Sequence, residues 1–325
     1  MDRNIHHPHD VGYKHIFSHK ETFLELLRSF VNKEWVKLIK EENLTLVNKS
    51  YILGDFEEEE SDIVYKINVG GKEIICYVLL EFQSKVDFQM PMRLLFYMTE
   101  IWREILKNTT KREKRRKGFR LPSIIPIVLY NGKNNWTACR SFKEILNGYE
   151  LFDDNILDFS YILFDINRYE EKELYNLSNL VSSIFLLDQE IDQKELIRRL
   201  TKMKYILKKI SPEQFEVFKQ WLKKIIKPRL DKDMEKDVDE VLDKSNQKEV
   251  DKMVHNLERT LDNIKKEGMK EGIEKGIRTG EKNKAIEIAL KMLKEELDIN
   301  MIVNITGLNE KEVLSLKKKI NKQRH

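Results

Sequence analysis

Residues 62–83 read DIVYKINVGGKEIICYVLLEFQ, two apolar runs joined by Gly70-Gly71. A glycine pair between such runs marks a two-residue hairpin loop, because the favoured turn needs positive φ at its central positions. With those glycines as the loop, Val69 faces Lys72, and counting back sets Asp62 opposite Leu79. Opposed residues share a face, and side chains alternate with period two. Asp62, Leu79, Glu81 and Gln83 then point the same way, with Asp62 and Glu81 diagonal neighbours roughly 7–8 Å apart at Cα. Two carboxylates at that spacing can share one hard divalent cation. Polar groups in so apolar a run are costly unless something binds them. A bulge, or a loop longer by one residue, reverses the parity. On that alternative Asp62 is a strand-edge residue, and Glu81 and Gln83 mark where the strand leaves the core.

Around this hairpin the apolar periodicity sets an order of elements. Residues 9–40 read as a helix, with Ile16, Phe17, Phe23, Leu24, Leu27, Phe30 and Val31 at three- and four-residue spacing. Thr45 to Phe56, Asp62 to Val69 and Glu73 to Gln83 read as three strands. Val86 to Lys107 returns to helical spacing through Met90, Leu94, Tyr97, Ile101 and Ile105, with Pro91 suited to a first turn. Leu121 to Tyr130 is an apolar run ended by Asn131-Gly132. It fits a buried central strand, with Pro122 and Pro126 marking missing ladder donors. The order is helix, three strands, helix, strand. A short strand near Tyr161 to Phe164 follows, then mainly helix to residue 230, where Leu177, Leu180, Val181, Ile184 and Leu187 read as a core stripe.

The chain has 325 residues, 41% hydrophobic and 35% charged, with a net charge of +4. That length predicts one main domain and an appendage, and the charge balance says little about partners. Its distribution says more. Lys111 to Arg120, KREKRRKGFR, holds seven basic residues and one acidic one, a run able to neutralise phosphates and equally readable as a solvated loop. Two isolated cysteines, Cys76 and Cys139, predict a reducing compartment without disulfides or zinc. The polar N-terminus, with His6, His7 and His9, is no signal peptide, and no apolar stretch reaches the roughly 20 residues of a membrane helix. The expectation is a cytoplasmic protein with no membrane contact.

Residues 231–282 are dominated by Lys, Glu and Asp, with Gly268, Gly272, Gly276 and Gly280 recurring every fourth residue. Four glycines cost a helix about 1 kcal/mol each against alanine, so their stripe predicts either close helix-to-helix approach, hence a homo-oligomer, or a weakly helical linker. Residues 283–325 lay out as helix, short helix, Thr306-Gly307-Leu308 turn and helix, like a helix-turn-helix. Lys317, Lys318 and Lys319 after the turn are compatible with DNA contact, and a knob for protein interaction fits the same layout.

Three blocks carry a resemblance: Ser61-Asp62-Ile63-Val64-Tyr65; Leu80-Glu81-Phe82-Gln83-Ser84; and Met90 to Met98, MPMRLLFYM. His9-Asp10 with Lys14, Ile16 and Phe17, and Leu121 to Gly132 with Trp136, extend it. Together they resemble the recombination-promoting nuclease and transposase-like family of the PD-(D/E)XK nuclease superfamily. The resemblance implies an α/β fold with a restriction-endonuclease-like core: α-β-β-β-α-β, a mixed sheet flanked by helices. Residues 1–230 would hold it, the core at about 9–165, with a helical C-terminal extension. It implies Mg²⁺, or another divalent cation such as Mn²⁺, on Asp62 and Glu81. Gln83 then stands where the superfamily usually has lysine, and Lys66 or Lys85 is a candidate substitute amine. Arg93 either meets the scissile phosphate or Glu81, or pairs with an acid at the core edge. Glu21 and Glu25 are candidates for the further acidic residue that the first helix often supplies, and each reads more simply as a solvent-face carboxylate. DNA contact would fall to Lys111, Arg112, Lys114, Arg115, Arg116 and Lys117. The implied activity is an endonuclease hydrolysing DNA phosphodiesters, linked to recombination or mobile elements. The alternative is a catalytically weak or inactive DNA-binding or self-assembling protein on the same fold. A transposase is disfavoured, since no second acidic constellation or zinc finger is present.

Overall fold

The computed structural model describes residues 8–47, 63–81, 86–152, 155–226 and 232–323. His6, His7, Asp62, Gln83 and Lys85 lie outside the described residues, as do the side chains of His9, Asp10 and Glu81.

The glycine pair folds as its chemistry requires. Strands β2 (Ile63–Val69) and β3 (Lys72–Glu81) form an antiparallel ladder from Val69↔Lys72 to Ile63↔Val78. Gly70 and Gly71 have φ of 57° and 75°, left-handed values that cost glycine nothing. Strand β1 (Leu44–Val47) pairs antiparallel with β2. The expected extension of β1 to Phe56 lies outside the described residues. Strand β4 (Ser123–Tyr130) runs parallel to β3, and β5 (Ile162–Asp165) parallel to β4. The sheet is mixed, in the order β1-β2-β3-β4-β5. Pro126 is tolerated inside β4 because pairing with β5 begins only at Ile127↔Ile162, so its missing N–H falls where β4 is still unpaired on that side.

Helices cover both faces. On one side α4 (Met90–Asn108) lays Met90, Leu94, Tyr97 and Ile101 over Val64, Ile75 and Val128. It starts four residues later than periodicity predicts, because the Asp87 Oδ1 accepts the Gln89 N–H at 2.7 Å and folds the preceding segment into a turn. The other face holds α1 (Pro8–Phe17), α2 (Lys20–Phe30) and α7 (Leu180–Asp188). There Phe23 stacks on Tyr65 at 4.2 Å, and the Tyr65 hydroxyl donates to the Phe17 carbonyl.

The predicted single helix over 9–40 is three: α1, α2 and α3 (Glu34–Lys37). The Ser18 hydroxyl donates to the Lys14 carbonyl and His19 is extended, which ends α1. Extended Val31 and Lys33 separate α2 from α3. The stripe through Leu177 and Leu180 is also interrupted, because Ser178 is left-handed (φ 51°) and ends α6 (Glu171–Leu177). All nine residues of α7 are buried, as befits a helix apolar nearly all round.

Two units emerge, divided between Glu258 and Arg259. The first includes α8 (Gln193–Leu207), α9 (Pro212–Ile226) and α10 (Lys232–Asp243). It also takes in the start of α11 (Val250–Lys294). The sparse apolar residues of this charged region are core: Val238, Leu242, Val250, Met253, Val254 and Leu257 are all buried. In the second unit Ala289 and Leu293 of α11 pack with Ile302 of α12 (Ile299–Thr306) and with Leu308 and Val313, the latter on α13 (Glu310–Gln323). No helix among the described residues is long and apolar enough to cross a membrane.

Candidate active site

The parallel strands β3, β4 and β5 end together. Glu81 stands in register with Tyr130, and Tyr130 with Asp165. The β2–β3 ladder keeps the register expected from the glycine loop to its last described pair, Ile63↔Val78. Val64 and Ile75 lie against α4. Those positions are an even number of residues from 62 and 81 respectively, the alternation on which the predicted acidic pair depends. Among the described residues no cluster of three His, Cys, Asp or Glu forms a metal site.

The other expected residues are spread along the sheet. Arg93 donates from Nη1 to Asp87 Oδ2 at 2.8 Å, with both side chains about one-fifth exposed. Asp87 thus holds the Gln89 N–H with one oxygen and Arg93 with the other, fixing the start of α4. Lys66 pairs with Glu73 at 3.7 Å. It stands opposite Ile75, six residues from Glu81, or about 20 Å at strand rise. The basic run forms the exposed turn after α4, including the short helix α5 (Lys111–Lys114), with a Thr110–Glu113 capping box. Ser123 opens the next strand opposite Ile74, so the turn flanks the far end of the sheet, about 23 Å from Glu81.

Glu21 and Glu25 serve the helical layer. Glu25 accepts the Val181 N–H at 2.6 Å and so caps α7, where Asn179 accepts the Ser182 N–H. Burial pushes its carboxyl up to about 7, against the lowering by Val181 and Gln214. Glu21 accepts from the Ser211 hydroxyl at 3.4 Å. Burial also pushes the Cys76 thiol up to about 12, which keeps it protonated and inert.

A polar network behind the strand ends was not foreseen. Tyr130 is fully buried and turns back over Gly132, where a Cβ would come within 2.0 Å of its hydroxyl. Its hydroxyl donates to the Asn134 carbonyl, and Trp136 packs edge-on at 4.9 Å. Asn131 donates to Asp188 Oδ2 at 2.5 Å, Tyr13 donates to the same oxygen at 2.7 Å, and Asn167 donates to Asn131 and Gly132. The signals were present but ambiguous: Asn131-Gly132 reads as a plain turn, and Asp188 as the polar end of an apolar helix. Asp165 was also missed. One of its oxygens accepts the Trp136 N–H at 3.4 Å, the other has no hydrogen-bond partner, and burial raises the carboxyl.

In the second unit, a Cβ at any of Gly268, Gly272, Gly276 and Gly280 would meet nothing within 4 Å. Beside them Met269, Ile273 and Ile277 are exposed. Gly307 (φ 69°) turns α12 into α13, whose first turn carries Glu310 and Glu312.

Comparison places this architecture among known proteins. The chain is similar to recombination-promoting nuclease RpnD of Escherichia coli O157:H7, 23% identical over 205 residues, 62% of this chain and 74% of that protein. It is 26% identical over 133 residues to recombination-promoting nuclease RpnC of Escherichia coli K12, 41% of this chain and 42% of the relative. An inactive recombination-promoting nuclease-like protein of the same strain, RpnE, is 22% identical over 206 residues, 62% of this chain and 64% of the relative. The chain thus spans less than two thirds of the latter two. No solved structure matches it significantly. A family model matches residues 7–217, well over half of the sequence, and the chain therefore belongs to the family described as "Putative transposase, YhgA-like".

Proposed function

We propose that this protein is a metal-dependent DNA endonuclease of the PD-(D/E)XK type, with Asp62 and Glu81 as its acidic ligands. The observation that carries the reading is the hairpin register: through its last described pair, Ile63↔Val78, it keeps the alternation from which the acidic pair is expected, with Glu81 at the carboxyl end of β3. Asp62 and Glu81 would hold Mg²⁺ or Mn²⁺, with the backbone carbonyl between Glu81 and Gln83 as a third donor. Carboxylate and carbonyl oxygens suit hard cations. When bound, such a cation supplies a water of lowered pKa and positive charge for the phosphate.

The remaining work falls to the chain. Gln83 cannot take a proton, because its amide is not basic, but it orients a water by hydrogen bonding. Arg93, fixed by Asp87, sits at the start of the helix that follows β3 and steadies a phosphate. Lys66 pairs with Glu73 toward the turn end, which leaves Lys85 as the other candidate for the substitute amine. The basic turn, about 23 Å from the strand end, lies about seven steps of 3.4 Å along a DNA strand. A duplex laid along the sheet would meet both. The relatives' names support a link to recombination, and the glycine stripe of α11 supports self-association.

Two observations favour a second reading, a DNA-binding protein without cleavage: a relative is named inactive, and Gln83 replaces the usual lysine. Supercoiled plasmid incubated with Mg²⁺ decides between them. Relaxation or linearisation by wild type, lost in Asp62→Ala and in EDTA, is expected. Plasmid shifted on a gel but never cut would overturn the nuclease.

A further inference from the structure

Away from the strand ends on which the nuclease reading rests, a groove of about 730 Å³ opens between the end of α2, α3 and the segment after β5. Its size falls within the roughly 300–1,000 Å³ of ligand sites. Arg28, Lys33 and Lys37 line it, opposed by one carboxylate, Glu173. All three cations are exposed. Arg28 spends one guanidinium nitrogen on the Ile39 carbonyl at 2.9 Å, which fixes its position and leaves other donors for a ligand. Lys37 pairs with Glu34 in an exposed i,i+3 bridge, a weak commitment. Lys33 has no ion-pair partner among the described residues.

The floor is aromatic. Phe30 and Tyr169 line the groove, are both half-buried, and touch with ring centroids 5.0 Å apart. Phe30 packs in turn on Phe164 of β5 at 6.0 Å, and Tyr169 stacks on Phe185 at 5.9 Å. The rings are therefore held rigidly by the core. Cations and anchored aromatic rings lining one groove are what single-stranded nucleic acids use: phosphates pair with the cations and bases stack on the rings.

Position supports the same ligand. β5 is an edge of the sheet, and its last residue Asp165 is in register, through Tyr130, with Glu81. Two strand spacings make about 10 Å, and the contact from Phe164 to Phe30 adds a few ångströms. With 6.0 Å between those two rings, the groove is about 16 Å, or roughly five steps of 3.4 Å, from the end of β3. Phe164 follows the opposite alternation to Leu163, which packs on the α4 side. The groove therefore opens around the β5 edge from the strand ends.

We infer that this groove binds a single nucleic-acid strand, its phosphates on Arg28, Lys33 and Lys37 and its bases over Phe30 and Tyr169, and so anchors DNA that passes around the β5 edge from the proposed cleavage site. The class of ligand deepens the endonuclease reading and rests on it.

The test is fluorescence anisotropy of a labelled 20-nucleotide oligo-dT, in EDTA, over a salt series with the full chain. The comparison is between wild type, Lys33→Glu/Lys37→Glu, the conservative Lys33→Arg/Lys37→Arg, and a matched charge change at exposed lysines elsewhere, Lys194→Glu/Lys248→Glu. Losing two phosphate contacts should reduce the slope of log affinity against log salt by about 1.4, at 0.7 per contact on a single strand. We expect at least tenfold weaker binding for the groove reversal, retention for the arginine pair, and little change in the matched control. No oligo-dT binding by wild type, an unchanged slope in the groove reversal, or an equal loss in the control would overturn the inference. So would a labelled polyglutamate peptide that binds wild type and is lost in the groove reversal while oligo-dT binding is unaffected. Plasmid cleavage measured in parallel reads the other assignment: cleavage with an unchanged slope overturns the groove alone, and a reduced slope without cleavage overturns the nuclease alone.

Discussion

Glu25→Gln should make the protein more stable, by an amount that grows as pH rises from about 4.5 to 7 and levels off above it. Glu25 is largely buried beneath the start of α7, and its carboxyl is pushed from 4.5 up to about 7, mainly by burial. A folded-state value above the unfolded one means that the folded chain holds this proton more tightly. The stabilisation is complete below about pH 4.5 and is lost as pH rises through 7. The move from 4.5 to about 7 is worth about 3.4 kcal/mol at 1.36 kcal/mol per pH unit. Glutamine keeps an oxygen for the Val181 N–H and carries no titrating proton, so it forfeits none of this. It also gives up a negative charge at a helix N-terminus, an opposing effect of about 0.5–1 kcal/mol. The variant should therefore match wild type near pH 4.5 and exceed it by about 2–3 kcal/mol at pH 8.5. For a unit of this size that is roughly 4–12 °C in melting temperature. Trp35, Trp102, Trp136 and Trp221 all lie in the first unit, so tryptophan fluorescence follows its unfolding alone. Paired melts across that pH range give the double difference. A gap between the proteins that stays flat with pH, or a variant less stable at pH 8.5, would refute the reasoning.

Gly132→Ala should cost about 1–3 kcal/mol, the usual cost of overpacking, because Tyr130 is fully buried and its hydroxyl is tied to the Asn134 carbonyl; urea melts read this, and a neutral substitution would mean that the ring moves freely. Reversing Lys111, Arg112, Lys114 and Arg115 should weaken duplex binding and flatten its salt slope by about 0.9 per lost phosphate contact, with melting unchanged since all four are exposed; an unchanged slope would return this turn to plain solvated surface. Replacing Gly268, Gly272, Gly276 and Gly280 with alanine should weaken self-association in sedimentation velocity while raising helicity, since each glycine costs a helix about 1 kcal/mol. A tighter oligomer would show that the glycines do not serve close approach.

The fold was legible wherever one physical signal dominated. Gly70-Gly71 fixed the β2–β3 register, because positive φ at two consecutive positions leaves few other turns, and the alternation of Val64 and Ile75 followed from it. The apolar spacing of Met90, Leu94, Tyr97 and Ile101 named the face of α4 that packs on the sheet. Reading failed where a short polar side chain intervened. Ser18 ended the first helix through a bond to the Lys14 carbonyl, and Asp87 delayed α4 by turning the segment before it through the Gln89 N–H, events that apolar periodicity does not register. The site was harder. Asp62 and Glu81 were conspicuous because they are charged among apolar residues. Glu25 looked like a further acid of the same centre and instead caps α7, since its partner Val181 is 156 residues away in sequence. Asp188, Asn131 and Tyr13 escaped notice for the same reason: each is ordinary alone and acquires meaning only through tertiary contact.

That network bears on how cleavage could be lost in a relative while the architecture survives. The backbone of Glu81 is held through the parallel ladder to Tyr130, and β3 as far as Val78 by the hairpin to β2. Tyr130 is held in turn by Gly132 and Trp136, and the Asn131 beside it by Asp188, Tyr13 and Asn167. None of these contacts uses Asp62, Gln83 or a metal. The frame at the strand ends is therefore supported independently of the chemistry proposed for it, as a preorganised site requires. If Asp62 and Gln83 act as proposed, a change at either should leave this network intact and remove only the chemistry. Under that arrangement a member of the family can stop cutting without unfolding, and a folded, inactive Asp62→Ala is the expected control.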